Sequence, residues 1–311
     1  MQLIVRALES RVRKVAMKAP ARRDAHPKAH GYVQSDFRVL DSLPSRLQVG
    51  LFAQPRTLHA WIRFSNGSES IQADAIGDGR GMATKLMGVT GSPSSTQDFI
   101  LINNSTFFAR DIADYVDFES ATNSLQFFFP SLSPFRFRVH ELLQARRITK
   151  REVSNPLATP YWGMTPSLFG IALCKFFVRP TGPPVRFNDR ATRDFLRQNL
   201  VRSLGESEAS FDFCVQLRTN PASMPIEDPT IEWPESESPF IPVAKITIPK
   251  QFFDTPERVA FGEALSFTPW HGLEAHCPLG GINRVRRVVY ETVSKIRHEL
   301  NRTPRFEPPR L

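Results

Sequence analysis

The sequence predicts an α+β fold in which helices surround an antiparallel β-sheet or barrel. Short runs of alternating apolar and polar residues, each ended by Gly, Pro, Asn or Asp, indicate strands. These runs follow one another without the helical crossovers that a parallel sheet needs, which favours antiparallel pairing. With 311 residues, of which 41% are hydrophobic and 23% charged, the chain is long enough to bury a large core.

The predicted elements can be placed in order along the chain. Apolar residues at helical spacing predict an amphipathic helix over 1–18, which packs on the domain or contacts a membrane surface. Strands are predicted over 33–40, 58–65, 81–89, 98–103, 169–178, 211–217 and 243–248. Helices are predicted over 109–125, 137–147, 191–204 and 281–301, and Asn283 is expected to cap the last one. Residues 19–311 form one predicted domain, in which the tract 221–242, rich in Pro, Glu and Ser, is a surface crossover loop.

The chain is basic, with 40 Lys and Arg residues against 31 Asp and Glu, and a net charge of +9. The basic residues are spread along the chain without zinc-finger, helix-turn-helix or RNP patterns, so no nucleic-acid partner is expected. The positive charge leaves two possible partners, an anionic ligand and an anionic membrane surface. The three cysteines form no CxxC pair, and neither a signal-peptide pattern nor an apolar stretch of membrane-spanning length is found. A cytoplasmic protein is therefore expected.

Three motifs in the first third of the chain carry side chains suited to peroxide chemistry. Arg23 precedes His26 by three residues, and an imidazole can move a proton from one peroxide oxygen to the other. Strand alternation puts Arg63 and Ser65 on one face, where Ser65 could hydrogen-bond the rear nitrogen of His26. Asn103 ends a strand and could orient a peroxide with its neutral amide. The simpler interpretation of Asn-Asn at this position is turn chemistry between a strand and a helix.

The last predicted helix carries three further candidates. Residues four apart share a helix face, so Arg286 lies one turn behind Tyr290. A guanidinium beside a phenol favours the phenolate, which is a hard anionic ligand for ferric iron. Arg297 returns to the same face two turns after Tyr290. Taken alone, this pattern is also that of an ordinary basic amphipathic helix.

In chain order, these motifs together resemble the haem catalases. The series is Arg-x-x-His, Arg-Phe-Ser, Gly-Arg-Gly, Asp-Phe-Ile-Leu-Ile-Asn-Asn with Phe-Phe-x-Arg-Asp behind it, and Arg-x-x-x-Tyr with Arg seven residues later. The resemblance covers roughly residues 20–118 and 280–300, and in its shortness the chain resembles the small catalase-related peroxidases. It implies a catalase-like antiparallel eight-stranded β-barrel with surrounding helices and with haem b buried between barrel and helices. The family's Pro after Asn-Asn is absent, and Ala25 precedes His26 where catalases carry Val.

The resemblance also implies roles for nine residues. Tyr290 would be the iron ligand, as Tyr is in catalases, with Arg286 as the partner of its phenolate. The implied catalytic residues are His26, Asn103 and Ser65. The implied haem contacts are Arg23, Arg63 and Arg297 for the propionates and Tyr115 as the stacking aromatic. Phe118 is the less favoured alternative to Tyr115, and His30 ranks second to His26.

The function implied is a haem-dependent oxidoreductase that consumes hydrogen peroxide or an organic hydroperoxide with an organic electron donor. The short chain suggests more peroxidase than catalase activity. A fatty-acid hydroperoxide is the alternative substrate, because residues 125–130 form an apolar run and basic charge attracts carboxylates. A haem carrier or sensor without enzymatic activity is a lesser alternative. A homodimer is expected in place of the family's intertwined tetramer, and peripheral membrane contact stays open.

Overall fold

Nine antiparallel strands form one sheet that closes on itself. The computed structural model describes residues 21–303 apart from Asp24, Thr122 and residues 131–135, so the helix predicted over 1–18 lies outside the described residues. The strands are β1 (Ala29–Val39), β2 (Thr57–Asn66), β3 (Arg80–Met87), β4 (Thr96–Ile102), β5 (Tyr161–Trp162), β6 (Ser167–Phe169), β7 (Ala172–Pro180), β8 (Ala209–Leu217) and β9 (Ile241–Ile248).

The strand order shows how the barrel closes. The order is β5-β4-β3-β2-β1-β9-β8-β7-β6, and β5 also pairs with β7. Eight strands therefore form a closed ring, and β6 pairs with β7 outside it. Closure satisfies the hydrogen-bonding groups that an open sheet leaves at its edges. The predicted antiparallel eight-stranded barrel is confirmed.

Side-chain alternation separates an apolar interior from a polar outer face. On β2, Ile62 and Phe64 belong to the barrel core, whereas Arg63 and Ser65 lie on the opposite face. The core is rich in phenylalanine, and the ring of Phe213 lies 5.1 Å from that of Phe37. Much of the phenylalanine in the composition thus fills the barrel and needs no cofactor to explain it.

Six α-helices lie outside the barrel in the described part of the chain. They are α1 (Ile112–Ser120), α2 (Ser124–Phe128), α3 (Val139–Lys150), α4 (Phe195–Glu206), α5 (Pro256–Ala264) and α6 (Gly281–Asn301). Helices α4 and α5 pack on β1, and α6 packs on α1. Among the described helices, none combines the length and apolar character that a bilayer crossing requires.

Several predicted boundaries are wrong, for local reasons. The strand predicted over 169–178 is a hairpin of β6 and β7, because Gly170 with φ of +64° turns the chain. The helix predicted over 109–125 begins at Ile112, where the Asp111 carboxylate accepts the backbone N–H of Asp114 at 3.0 Å, and it ends at Ser120. Neither β5 nor α5 was predicted. The two residues of β5 are too few to show a periodic pattern, whereas α5 has a recognisable start, because the Thr255 side chain caps it and Pro256 is its first residue.

The prediction that Asn283 caps α6 is also wrong. The cap is Gly280 with φ of +86°, and Asn283 is buried within the first turns of the helix. Its amide donates to the carbonyl of Leu279 at 2.7 Å and to that of Pro166 at 3.2 Å. Asn283 therefore ties the start of α6 to the segment that precedes β6.

Candidate functional site

His26 lies against the outer face of the barrel in an unusual backbone conformation. Its φ is +61°, its N–H donates to the carbonyl of Gly67 at 3.3 Å, and its carbonyl accepts a hydrogen bond from Arg63. These contacts hold the backbone in a region that histidine seldom occupies. The ring is then placed with Nδ1 3.1 Å from the Ser65 hydroxyl.

Strand register brings the second catalytic candidate to the same place. Across β2, β3 and β4, Ser65 pairs with Gly81 and Gly81 pairs with Ile102, the residue before Asn103. A β-carbon on Gly81 would lie 2.9 Å from both His26 Nδ1 and Ser65 Oγ. Glycine at this position therefore lets the imidazole approach the sheet.

Asn103 carries a buried donor that the protein leaves without a partner. Its side-chain oxygen accepts the backbone N–H of Arg80 at 2.7 Å, which fixes the orientation of the amide. The amide nitrogen is fully buried and has no hydrogen-bond partner among the described residues. A buried donor left unsatisfied costs about 1–3 kcal/mol, and this nitrogen is therefore available to donate to a bound molecule.

The environment of His26 keeps its imidazole neutral. Burial, and then the positive charges of Arg63, Arg286 and Arg23, lower the pKa of His26 to about 3. His26 as a whole residue is half-buried. At neutral pH the ring can therefore accept a proton. Among these charges, that of Arg286 comes from α6.

Tyr290 lies on α6 with a guanidinium beside its phenol. Nη2 of Arg286 is 3.3 Å from the Tyr290 hydroxyl, and the guanidinium lies 5.4 Å from the centre of the ring. Arg286 is itself held by neutral oxygens, at 3.1 Å from Asn283 Oδ1 and 3.3 Å from Thr165 Oγ1. Neutral partners leave the positive charge of Arg286 available to stabilise a phenolate.

Tyr115 lies on α1 and packs against α6, with Val285 and Val289 in the same apolar cluster. Burial, and then the carboxylate of Glu119, raise the pKa of the Tyr115 phenol well above its usual value, so this phenol stays neutral. Phe118 instead packs 4.6 Å from the ring of Phe108, in an aromatic cluster.

His30 belongs to a separate polar cluster. Its Nε2 lies 2.7 Å from Oδ1 of Asn66, which also contacts Arg80. The carboxylate of Asp74 and the ammonium of Lys28, 2.7 Å apart, complete this cluster. Asn66 and these charged groups hold His30 in place, which indicates a structural role for this histidine.

The three arginines assigned to propionates converge at the other end of the site. Nη1 of Arg23 and Nε of Arg63 both lie 3.1 Å from the hydroxyl of Tyr32. Arg297 lies on α6 and joins these residues through Glu263. Nη1 of Arg297 lies 3.6 Å from Oε2 of Glu263. Residues that are 274 positions apart in the sequence, Arg23 and Arg297, thus share one carboxylate.

Tyr32 and Glu263 were missed by the sequence analysis. Tyr32 could have been found, because strand alternation puts it on the outer face of β1, where a buried phenol needs partners. Glu263 gives no local signal, since it lies near the end of α5, a helix that was not predicted. Gly262, beside it, lets α5 lie directly on the Tyr32 ring, because any β-carbon there would overlap that ring.

Comparison with known proteins bears on the fold. No protein-family model matches this sequence, and no curated protein matches it. The structure is similar to those of a fungal catalase (17% identity, TM-score 0.71, 92% of this chain and 61% of that one) and a bacterial catalase (15% identity, TM-score 0.69, 96% and 62%). It is also similar to catalase A from Saccharomyces cerevisiae (18% identity, TM-score 0.72, 94% and 65%).

The chain has a catalase-like fold. It spans between three fifths and two thirds of the length of these catalases. At identities of 15–18% this similarity shows the course of the backbone, whereas the chemistry depends on the side chains of the site.

Proposed function

We propose that this protein is a haem-dependent oxidoreductase that consumes peroxide and that Tyr290 is the iron ligand. The observation that carries the proposal is the buried amide nitrogen of Asn103, which has no hydrogen-bond partner in the part of the chain that the structure describes. Strand register puts Asn103 one residue beyond the partner of Gly81, and the neutral imidazole of His26 lies against Gly81. A hydrogen-bond donor and a base at the same end of the sheet suit a small substrate with two oxygens.

The residues present also fit haem. Ferric iron favours an anionic oxygen, and the Arg286 guanidinium 3.3 Å from the Tyr290 hydroxyl supports one. Two propionates need cationic partners, and Arg23, Arg63 and Arg297 are available for that role. When bound, haem would supply the redox-active iron at which the O–O bond of a peroxide is cleaved heterolytically.

The chain's own residues would manage the proton and the orientation of the substrate. The Ser65 hydroxyl lies 3.1 Å from His26 Nδ1, so a proton on Nδ1 leaves the lone pair of Nε2 free. Nε2 then takes a proton from one peroxide oxygen and returns it to the other. Asn103 donates its amide hydrogen to the peroxide and remains neutral and inert to oxidation, whereas Ser65 is a positioning residue.

The identity of the physiological substrate is part of the proposal. We favour a peroxidase that uses hydrogen peroxide or an organic hydroperoxide with an organic donor. The apolar run that motivated a fatty-acid hydroperoxide packs inward in part: Phe127 and Phe128 are buried, and the ring of Phe127 lies 5.4 Å from that of Phe118. No described contact favours the lipid alternative, and turnover of both peroxides by one preparation would decide between them. A homodimer, membrane contact and a cytoplasmic location remain predictions.

The experiment is a haem titration of three proteins followed by absorption. Wild type is expected to give the spectrum of phenolate-ligated ferric haem and to respond to added peroxide. Tyr290→Phe should lose that ligation, and the Soret band should shift or disappear. Tyr161→Phe is the matched control, because its hydroxyl donates to the Pro156 carbonyl inside the barrel at 2.9 Å and it should leave the spectrum unchanged. An identical Soret band in Tyr290→Phe would contradict the proposal.

A further inference from the structure

Glu263 is the carboxylate at the centre of the arginine cluster formed by Arg23, Arg63 and Arg297. Its Oε2 lies 3.0 Å from Nη1 of Arg23 and 3.6 Å from Nη1 of Arg297. Its Oε1 accepts the hydroxyl of Tyr32, and that hydroxyl also contacts Arg63. One carboxylate balances only one of the three guanidinium charges, so the cluster still attracts anions.

The arginines are held by groups other than the Glu263 carboxylate. Nη2 of Arg23 donates to the backbone carbonyls of Gly262 at 3.0 Å and Leu265 at 2.8 Å. Arg297 donates to the backbone carbonyl of Glu263 and lies 3.4 Å from that of Leu265. Arg63 donates to the carbonyl of His26. These backbone contacts would keep the guanidiniums in place if another carboxylate took over from Glu263.

Exposure distinguishes the carboxylate from its partners. The side chain of Glu263 is 35% exposed, whereas those of Arg23 and Arg297 are 15% and 4% exposed and Arg63 is buried. A half-exposed carboxylate that turns toward solvent loses its ion pairs but gains hydration, whereas a buried guanidinium that moved would leave its backbone carbonyl partners.

We propose that the Glu263 carboxylate is an internal substitute for a haem propionate. It neutralises the cluster in the haem-free protein and competes with a propionate for Arg23 and Arg297. The inference rests on the proposed haem function. It predicts that removing the carboxylate has opposite effects on two quantities: the haem-free protein becomes less stable because the guanidiniums repel each other, and haem binds more tightly because its competitor is gone.

The test compares wild type with Glu263→Gln in two measurements. Urea denaturation reports the stability of the haem-free proteins, and a Soret titration with ferric haem b reports affinity. Glu263→Gln is expected to unfold at lower urea and to bind haem roughly tenfold more tightly, as expected for one charge-assisted contact. With the iron complex of protoporphyrin dimethyl ester, which has no carboxylates, the two proteins should bind equally.

Glu141→Gln is the matched control. Glu141 is a buried carboxylate whose Oε1 lies 2.8 Å from Nη2 of Arg110, outside the arginine cluster. Its amide variant should lose stability and keep the haem affinity of wild type. If Glu263→Gln does not fold, Glu263→Asp retains the charge on a shorter side chain and should show a smaller gain in affinity.

The outcomes separate this inference from the proposed function. Equal or weaker haem binding by Glu263→Gln, with wild type binding haem normally, would show that Glu263 is only a structural ion-pair partner and would overturn the inference alone. The same gain in affinity for the dimethyl ester would also overturn it, because the competition requires a propionate. Absence of a Soret band in wild type would overturn the proposed function and this inference together.

Discussion

Replacement of Gly81 by alanine is the most direct test of how the barrel positions His26. The added β-carbon would lie 2.9 Å from His26 Nδ1 and from Ser65 Oγ, and 3.0 Å from His26 Cε1. To restore an ordinary contact of 3.4 Å, the imidazole would have to retreat by roughly 0.5 Å. Gly81 lies in β3, where alanine adopts the strand conformation without backbone strain. The substitution therefore acts only through this close contact.

The expected loss of activity follows from that displacement. A misplacement of about 1 Å can reduce a catalysed rate by about 10²-fold, so a shift of roughly half that size predicts a loss of about tenfold. Overpacking of this kind also lowers the free energy of unfolding by about 1–3 kcal/mol. The assay is the initial rate of peroxide consumption at equal haem occupancy, with urea denaturation of the same preparations.

Gly205→Ala is the matched control for this prediction. Gly205 lies near the end of α4, and a β-carbon there would meet nothing within 4 Å. Alanine in a helix is favoured over glycine by up to about 1 kcal/mol, so this variant should be as stable as wild type or more stable and fully active. If Gly81→Ala turns over peroxide as fast as wild type with the same Soret band, His26 does not act from the position described here.

Three further predictions concern the groups around the site. Asn103→Asp keeps the acceptor for the Arg80 N–H but loses the free amide donor, so peroxide turnover at equal haem occupancy should fall at least tenfold, and the buried carboxylate should also lower the urea midpoint; equal turnover would remove Asn103 from the mechanism. Arg63→Gln removes the largest repelling charge on His26, so the pKa of His26, measured by NMR in the haem-free protein, should rise above about 3; an unchanged value would mean that the charge of Arg63 does not act on His26. His276 is buried, and its Nε2 accepts the backbone N–H of Leu51 at 3.0 Å. Burial lowers the pKa of His276 from 6.5 to about 4, so its stabilising effect is complete above pH 6.5 and is lost as the pH falls toward 4. The free energy of unfolding should drop over this window by up to about 3 kcal/mol and less steeply in His276→Gln, and parallel curves would refute this.

Local patterns in the sequence were sufficient to predict those parts of the candidate site that lie within one strand or one helix. Period-two alternation put Arg63 and Ser65 on one face of β2, and a spacing of four put the Arg286 guanidinium beside the Tyr290 phenol. Boundaries failed where a single residue decided them, as at the hairpin of Gly170 and at the Gly280 cap of α6. Such turns carry little periodic signal.

By itself, the sequence determined the antiparallel strands, the last helix and the set of polar side chains that the site would use, because these depend on spacing within one element. Only the tertiary structure decided that the two residues of β5 close the barrel, that α6 brings a charge to His26, and that Glu263 joins Arg23 to Arg297. Each of these depends on contacts between residues far apart in the chain. Such contacts form when apolar surfaces pack, and no short pattern records which distant charges that packing brings together.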